Sequence, residues 1–181
     1  IVLLARSEQR LPRLRWLGLF GFLHVNEETL FGPSLETIMK TRGPLACEKA
    51  ASMYLQILDI LRDVHNTGII HRDISRGNCC LLREVHDTSL LTIDGLRVAL
   101  IDFCRTVPYE AAALQLLEQS PERDDIESSF MALAAHSPVP QRRDDVASLG
   151  FLIRFLARGR LPWGAAETAE AVFAEQTMKT G

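Results

Sequence analysis

Apolar residues recur at helical spacing in two long stretches of this chain. Between residues 45 and 66 they lie three or four positions apart and predict one helix with a single buried stripe. That stripe consists of Ala50, Tyr54, Ile57, Leu61 and Val64. Residues 142–158 predict a second, mostly buried helix that Gly159 closes as a C-cap. Ser34 is a candidate N-cap for a shorter helix that runs to about Lys40.

Five short segments have the alternating or continuously apolar pattern of β-strands. They are residues 11–18, 19–25, 69–70, 79–82 and 96–101. The polar residues 26–29 are expected to interrupt the second strand. Asp94-Gly95 is a hairpin-turn signal, which favours antiparallel pairing of the last two strands. Together the segments predict an α+β fold.

Composition narrows the range of partners and compartments. The 181 residues carry a net charge of −3 with acidic and basic residues interleaved, so we expect no nucleic-acid partner. No signal peptide or long apolar span is present, so we expect no membrane association. The four cysteines form no C-x-x-C pair, which favours reduced thiols and an intracellular protein of the cytoplasm or nucleus.

The most informative stretch runs from Ile69 to Asn78 and contains His71-Arg72-Asp73. Taken alone, these three residues could be a salt-bridged surface turn. Asn78 adds a neutral oxygen ligand five residues after the Asp73 carboxylate. A second carboxylate, Asp102, follows the apolar run that ends at Ile101. Two carboxylates and an amide at strand ends suit phosphoryl transfer, in which the protein mainly positions groups and neutralises charge with Mg²⁺.

Four segments together resemble protein kinases of the casein kinase I family, including its tau-tubulin-kinase relatives. They are residues 11–16, Leu30-Phe31-Gly32-Pro33-Ser34-Leu35-Glu36, residues 71–78, and the span from Arg142-Arg143-Asp144-Asp145 to Leu161-Pro162-Trp163. The resemblance implies a protein-kinase-like α+β fold, mostly the helical C-lobe. Residues 1–31 would be an N-lobe remnant with the end of helix C, two strands and the hinge. Residues 32–181 would be a C-lobe truncated before its last helices.

The resemblance implies an ATP-dependent serine/threonine kinase that acts on protein substrates. Asp73 would be the catalytic base or hydroxyl-positioning group. Arg72 would tie the catalytic loop to its surroundings. Asn78 and Asp102 would hold Mg²⁺.

The same resemblance implies an ATP site. Thr29 and Phe31 would present hinge backbone groups to adenine. Cys80 and Ile101 would pack under the ring, although plain core packing explains them as well. Asp145 would hold the catalytic loop through backbone N–H bonds, cap the buried helix, or do both.

Several positions depart from the family pattern. The Gly-rich loop, the ATP-anchoring Lys and its Glu partner are missing, so we expect the 181-residue chain alone to be an inactive fragment. The usual catalytic-loop Lys is Ser75, and the spacing of Arg76 points it away from the same oxygens. Cys104 replaces the glycine of the metal loop, and Glu28 stands where the adenine pocket is usually apolar. These departures support an alternative, a pseudokinase that acts as a binding or scaffolding module.

Overall fold

The computed structural model describes residues 10–12, 14–20, 23–28, 30–82, 97–108 and 140–161, with backbone alone for 14–20 and 23–28. Its elements in chain order are β1 (Leu14–Phe20), β2 (Leu23–Glu28), α1 (Leu35–Arg42), α2 (Cys47–Asn66), β3 (Ile69–Ile70), β4 (Cys79–Leu81), β5 (Val98–Leu100), β6 (Val107–Pro108) and α3 (Arg142–Arg158). The mixture of helices and short strands agrees with the expected α+β class. The helix expected before residue 10 lies outside the described residues, as do the segments 109–139 and 162–181.

The first two strands form an antiparallel hairpin whose boundaries differ from the predicted ones. β1 continues through Phe20 and β2 starts at Leu23, whereas the sequence predicted a boundary between residues 18 and 19; Gly18 pairs with Val25. The prediction that residues 26–29 interrupt the second strand is wrong for Asn26–Glu28, because the backbone of β2 continues to pair with β1 through Glu28. Backbone hydrogen bonds to a neighbouring strand outweigh the weak strand propensity of these polar residues.

The two long helices form the core, and their apolar stripes pack against each other. On α2 the stripe predicted from spacing is buried, apart from a partly buried Tyr54, and Met53 joins it fully buried. On α3 most buried residues share one face, and Asp144 is buried beside them at the helix start; the face consists of Asp145, Ser148, Leu149, Leu152 and Leu156. Burial of a large aliphatic side chain contributes about 1.5–3 kcal/mol, so this interface holds the fold together. Asp145 is the charged end of the α3 stripe.

Local signals set the ends of α1 and α3 as predicted. The Ser34 hydroxyl accepts the Thr37 backbone N–H at 3.3 Å and caps α1. The N–H of Gly159 donates to the Phe155 carbonyl at 2.7 Å, and Gly159 has a left-handed backbone with φ of 71°. The sequence patterns are therefore sufficient to locate these two boundaries.

The remaining strands are short and pair in twos. Strand β4 pairs with β5 in antiparallel register, with Cys79 opposite Leu100, as the hairpin pattern predicts. The turn that joins them falls outside the described residues. Strand β3 pairs with β6, which the sequence patterns did not predict, so that Ile70 lies opposite Val107. The two ladders bring the segment after Ile70 close to the segment after Leu100.

Arg10 ties the start of the described chain to the core. Its Nε donates to the Val98 carbonyl at 3.2 Å, and its Nη2 donates to the Gln56 carbonyl at 2.8 Å. The Leu100 N–H donates to the Arg10 carbonyl at 3.0 Å. The segment before β1 is thereby fastened to both α2 and β5. Among the described residues, no helix has the length and apolar character needed to cross a bilayer.

Gly159→Ala should lower the free energy of unfolding by roughly 1–2 kcal/mol, the cost of a left-handed residue that carries a Cβ. The new Cβ would also approach the Cγ of Pro44 to 2.9 Å. Urea unfolding followed by circular dichroism measures the effect.

Gly150→Ala is the matched control, because Gly150 lies inside α3 and a Cβ there meets nothing within 4 Å. It should stabilise the protein by about 0.5–1 kcal/mol, the usual difference between the two residues in a helix. Equal effects of the two substitutions would contradict the C-cap assignment.

Candidate active site

The loop from His71 to Asn78 lies between β3 and β4, and the carboxylate of Asp145 binds its backbone. The backbone N–H groups of His71 and Arg72 donate to Asp145 Oδ2 and Oδ1, each at 2.8 Å. Arg72 has a left-handed backbone with φ of 70°, a conformation that costs about 1–2 kcal/mol for a residue with a side chain. The two hydrogen bonds to Asp145 offset that cost, so α3 determines the shape of the loop.

Asp145 has a third partner. The Nε2 of His65, near the end of α2, lies 2.8 Å from Asp145 Oδ2, and Asp145 is only 2% exposed. The predicted loop-holding role of Asp145 is confirmed by these contacts. The capping role belongs to the preceding residue instead, since Asp144 Oδ2 accepts the Gln141 N–H at 2.7 Å. A carboxylate one position earlier faces the free N–H groups at the helix start, whereas Asp145 faces the core.

His71 is fully buried and links the loop to β5. Its Nε2 lies 3.2 Å from the Ile101 carbonyl oxygen, and its Nδ1 accepts the Asp73 backbone N–H at 3.2 Å. A carbonyl oxygen only accepts, so the proton of the ring is on Nε2. Burial lowers the pKa of His71, although Asp145 and Asp73 oppose this effect. The ring is therefore neutral and orients Asp73.

Asn78 completes the loop. Its Nδ2 donates to the Asp73 carbonyl at 3.0 Å, and its own carbonyl accepts the Ile101 N–H at 2.9 Å. Because the amide nitrogen is directed at the loop backbone, the amide oxygen is the atom that Asn78 offers to a metal. The bond to Ile101 also brings the residue before Asp102 directly beside Asn78.

The segment after β5 carries the second carboxylate on a strained backbone. Asp102 is exposed and has a φ of 62°, and its Oδ1 accepts the Cys104 N–H at 3.2 Å. This local hydrogen bond is the Asx-turn that lets Asp adopt a left-handed conformation. The left-handed residue is thus Asp102 and not Cys104, the position where a glycine was expected. The ring of Phe103 packs edge-on against His71, with 4.7 Å between ring centroids.

The Asp73 side chain is mostly buried, with only 16% of it exposed. Burial raises its pKa, and His71, Asn78 and Arg105 oppose that effect. The Arg105 Nε lies 3.8 Å from Asp73 Oδ2. Because burial keeps His71 neutral, Arg105 supplies the opposing positive charge at neutral pH. Sequence reasoning missed Arg105 because no motif marks the third position after Asp102.

The donor set fits Mg²⁺. Asn78 and Asp102 offer one amide oxygen and one carboxylate, and Mg²⁺ typically takes one or two protein oxygens and completes its shell with waters and phosphates. In the parts of the chain that the structure describes, no cluster of three or more His, Cys, Asp or Glu side chains forms a cage for a metal ion. The chemistry of the two residues therefore favours a metal shared with a phosphorylated ligand.

The expected nucleotide residues are brought together in part. The Gly32 N–H donates to the Leu81 carbonyl at 2.8 Å, and the Leu81 N–H donates to the Pro33 carbonyl at 3.0 Å. These bonds lay the segment after Phe31 along β4, beside Cys80. Cys80 is 6% exposed and burial raises the pKa of its thiol, so it is a neutral apolar group. Thr29 lies outside the described residues.

Ile101 is partly buried and directly follows β5, the strand that pairs with β4. Cys80 pairs with Ala99 in this ladder, so Ile101 is two residues along the neighbouring strand. The described part of the expected adenine platform is therefore contiguous, and it adjoins Asn78.

Asp145→Ala should destabilise the protein by about 3 kcal/mol or more, because it leaves two buried donors and one partly buried donor without an acceptor, at about 1–3 kcal/mol for each unsatisfied group. Asp59→Ala is the control, since Asp59 is exposed on α2 and forms a surface ion pair with Arg62. Its effect should stay within about 0.5 kcal/mol. Urea unfolding of both variants measures the difference, and equal effects would refute the anchoring role.

His71 should reduce stability in mild acid. Its folded-state pKa is below the unfolded-state value of 6.5, so the unfolded chain binds more protons below that pH. The free energy of unfolding should therefore be highest above pH 6.5 and fall as the pH drops. Imidazole nitrogen NMR checks the cause: the ring should stay in its Nε2-protonated neutral form at pH 6.5, whereas in urea it should be half protonated. A ring that titrates equally in both states would contradict the assignment.

Comparison with known proteins shows a similarity to a kinase-like protein. No family model matches the chain. In an alignment of 158 residues that covers 84% of the chain, it is 27% identical to casein kinase 1-like protein HD16 of Oryza sativa subsp. japonica. The chain spans 22% of the length of that protein. The chain is thus similar, over most of its length, to part of a casein kinase 1-like protein, which supports a relationship to protein kinases.

Proposed function

We propose that this chain is the larger part of a serine/threonine protein kinase domain of casein kinase I type. It would transfer the γ-phosphate of ATP to hydroxyl groups of proteins. The observation that carries the proposal is the buried Asp145–loop–His71 arrangement, which positions Asp73 so that Asn78 and Asp102 both influence its charge. The similarity to a casein kinase 1-like protein supports it.

The domain boundaries follow the same proposal. Residues 1–31 would belong to the N-lobe and the hinge, and residues 32–181 to the C-lobe. The hairpin β1–β2, followed by the hydrogen bonds of residues 32–33 to β4, supports a boundary at this point. Helices α2 and α3 would form the centre of the C-lobe.

Each side chain would have a distinct task in the reaction. Asp73 orients the substrate hydroxyl and accepts its proton while the oxygen bonds to the γ-phosphorus and the bond to ADP breaks. Asn78 and Asp102 hold Mg²⁺, which when bound neutralises charge on the phosphate oxygens. Arg72 acts through its backbone, which Asp145 binds. A base whose pKa burial raises accepts a proton more readily than an exposed carboxylate does.

Phe31, Cys80 and Ile101 would form the adenine site together with Thr29. Cys80 and Ile101 lie on or next to the paired strands β4 and β5, and the segment after Phe31 runs along β4. An adenine ring needs an apolar platform and backbone hydrogen bonds at its edge. The neutral Cys80 thiol suits such a platform, because burial keeps it protonated.

A pseudokinase that works as a binding or scaffolding module is the second candidate. The observation in its favour is Ser75, which is 4% exposed and puts an uncharged, buried side chain where a phosphate-binding cation would be useful. Cys104 supports it too, because it replaces the glycine of the metal loop. It is exposed beside Asp102, and a hydrogen bond to that carboxylate raises the pKa of its thiol. Nucleotide binding without phosphotransfer, or no nucleotide binding, would distinguish this candidate.

Asp73→Asn should abolish phosphotransfer, because an amide does not accept the hydroxyl proton. The assay uses labelled Mg-ATP and casein with the full-length protein that carries this sequence, and the expected loss is on the order of 10²–10⁴-fold. Asp59→Asn removes an exposed carboxylate on α2 and should keep the wild-type rate.

Thermal unfolding with Mg-ATP separates binding from chemistry. A ligand at about 100 times its dissociation constant stabilises a protein by about 2.7 kcal/mol, so wild type and Asp73→Asn should both shift. Equal background rates in the folded wild type and Asp73→Asn would overturn the kinase proposal and favour the pseudokinase.

A further inference from the structure

Phosphoryl transfer needs more positive charge than a metal ion alone provides. The transferring group spreads negative charge over its oxygens, and a cationic side chain that contacts them in the transition state is a large source of rate enhancement. Such a cation must lie beside the carboxylate that orients the nucleophile. In this site the candidates for that cation are the basic residues near Asp73.

Arg76, the basic residue that follows Ser75 in the loop, contacts other elements. Arg76 points toward α1 and α3, where its Nε lies 3.6 Å from Glu36 Oε1 and its guanidinium carbon lies 5.2 Å from the centre of the Phe155 ring. It lines a separate pocket there, as its spacing in the sequence predicted. The backbone of Arg72 is bound to Asp145, and Ser75 carries no charge.

Arg105 approaches Asp73 from the segment that follows Asp102. A turn holds it there, because the N–H and the hydroxyl of Thr106 both donate to the Phe103 carbonyl, at 3.2 and 2.8 Å. The Arg105 side chain is 24% exposed, so it faces Asp73 while it keeps access to solvent. The turn makes its position depend on the same segment that carries the metal-binding carboxylate.

The contact between Arg105 and Asp73 is electrostatic and is not a short hydrogen bond. The separation of 3.8 Å between Arg105 Nε and Asp73 Oδ2 exceeds the 2.7–2.9 Å of a charge-assisted hydrogen bond. Asp73 therefore keeps lone pairs for a substrate hydroxyl. A guanidinium also has further N–H groups in a planar fork that matches phosphate oxygens.

We infer that Arg105 is a catalytic residue that binds the transferring phosphoryl group and supplies the positive charge that the loop position Ser75 lacks. The inference rests on the proposed kinase function. Before the nucleotide binds, Arg105 neutralises Asp73. In the reaction its guanidinium contacts the phosphoryl oxygens while Asp73 takes the hydroxyl proton. The positive charge comes from the segment that follows Asp102 rather than from the catalytic loop.

Arg105→Gln tests the inference in the full-length protein with labelled Mg-ATP and casein. The substitution keeps a polar side chain and removes the charge, so kcat should fall by about 10²–10³-fold. KM for ATP should change only a few-fold, because the contact strengthens in the transition state. Arg105→Lys keeps a cation without the fork and should recover a measurable part of kcat.

Arg62→Gln is the matched control, because it removes a guanidinium that is exposed on α2 and pairs with Asp59 and Asp63. It should keep the wild-type kcat. Urea unfolding of every variant checks that each one folds. A second readout is binding of Mg-ADP with aluminium fluoride, which mimics the transferring group: Arg105→Gln should weaken it more than it weakens Mg-ADP alone.

The outcomes separate this inference from the function on which it rests. Wild-type kcat in Arg105→Gln, with Asp73→Asn inactive, would overturn the role of Arg105 and leave the kinase proposal intact. A higher rate in Arg105→Gln would also overturn it, since Arg105 would then be an inhibitor of Asp73. A folded wild type without phosphotransfer would overturn both.

Discussion

The carboxylate of Asp145 is the contact on which the candidate site depends. It accepts two backbone N–H groups from the loop and lies within hydrogen-bond distance of the His65 ring, while almost no part of it reaches solvent. A buried carboxylate without partners would cost several kcal/mol, so these donors and the carboxylate require one another. The packing of α3 against α2 brings them together. The same packing that forms the core therefore forms the loop.

Strain in the loop is a consequence of that constraint. Arg72 and Asp102 both have left-handed backbones, at φ of 70° and 62°, and each has a hydrogen bond that stabilises the conformation. In Arg72 the bond comes from another element, whereas in Asp102 it is local. Strained residues that the surrounding structure maintains occur often at functional sites. Here Arg72 directly precedes Asp73, and Asp102 directly precedes Phe103. The ring contact between His71 and Phe103 connects the two segments.

The charges around Asp73 distinguish the two candidate functions, kinase and binding module. Burial of Asp73 favours its protonated form, and Arg105 is the cation that opposes this at neutral pH. A kinase needs an ionised or readily ionised carboxylate and a cation for the phosphoryl group, and in the proposed function Asp73 and Arg105 would meet these two requirements from two segments. A binding module needs neither, and the buried, uncharged Ser75 would be compatible with it. The pairing of Asp73 with Arg105 is thus the feature that most favours catalysis.

Local signals in the sequence were enough for the boundaries and faces of the helices. The Ser34 cap, the α2 stripe and the Gly159 C-cap each depend on residues within a few positions, whose spacing and backbone preferences are the same in any surroundings. The resemblance to casein kinase I proteins also identified Asp145 as the holder of the loop. The extent of β2 was misjudged, because strand pairing with β1 and not local propensity sets its end.

Local sequence patterns did not predict the contacts between residues that are far apart in the chain. Asp145 lies 80 positions from His65 and 74 from His71, and Arg105 reaches Asp73 only through the turn after Phe103. The β3–β6 pairing, which draws the segment after Asp102 back to the loop, was equally absent from the apolar pattern. Such contacts depend on how α2, α3 and the short strands pack. The sequence thus identified the polar residues of the candidate site apart from Arg105, and the tertiary structure decided which charges face Asp73, because electrostatic partners are set by distance in space and not along the chain.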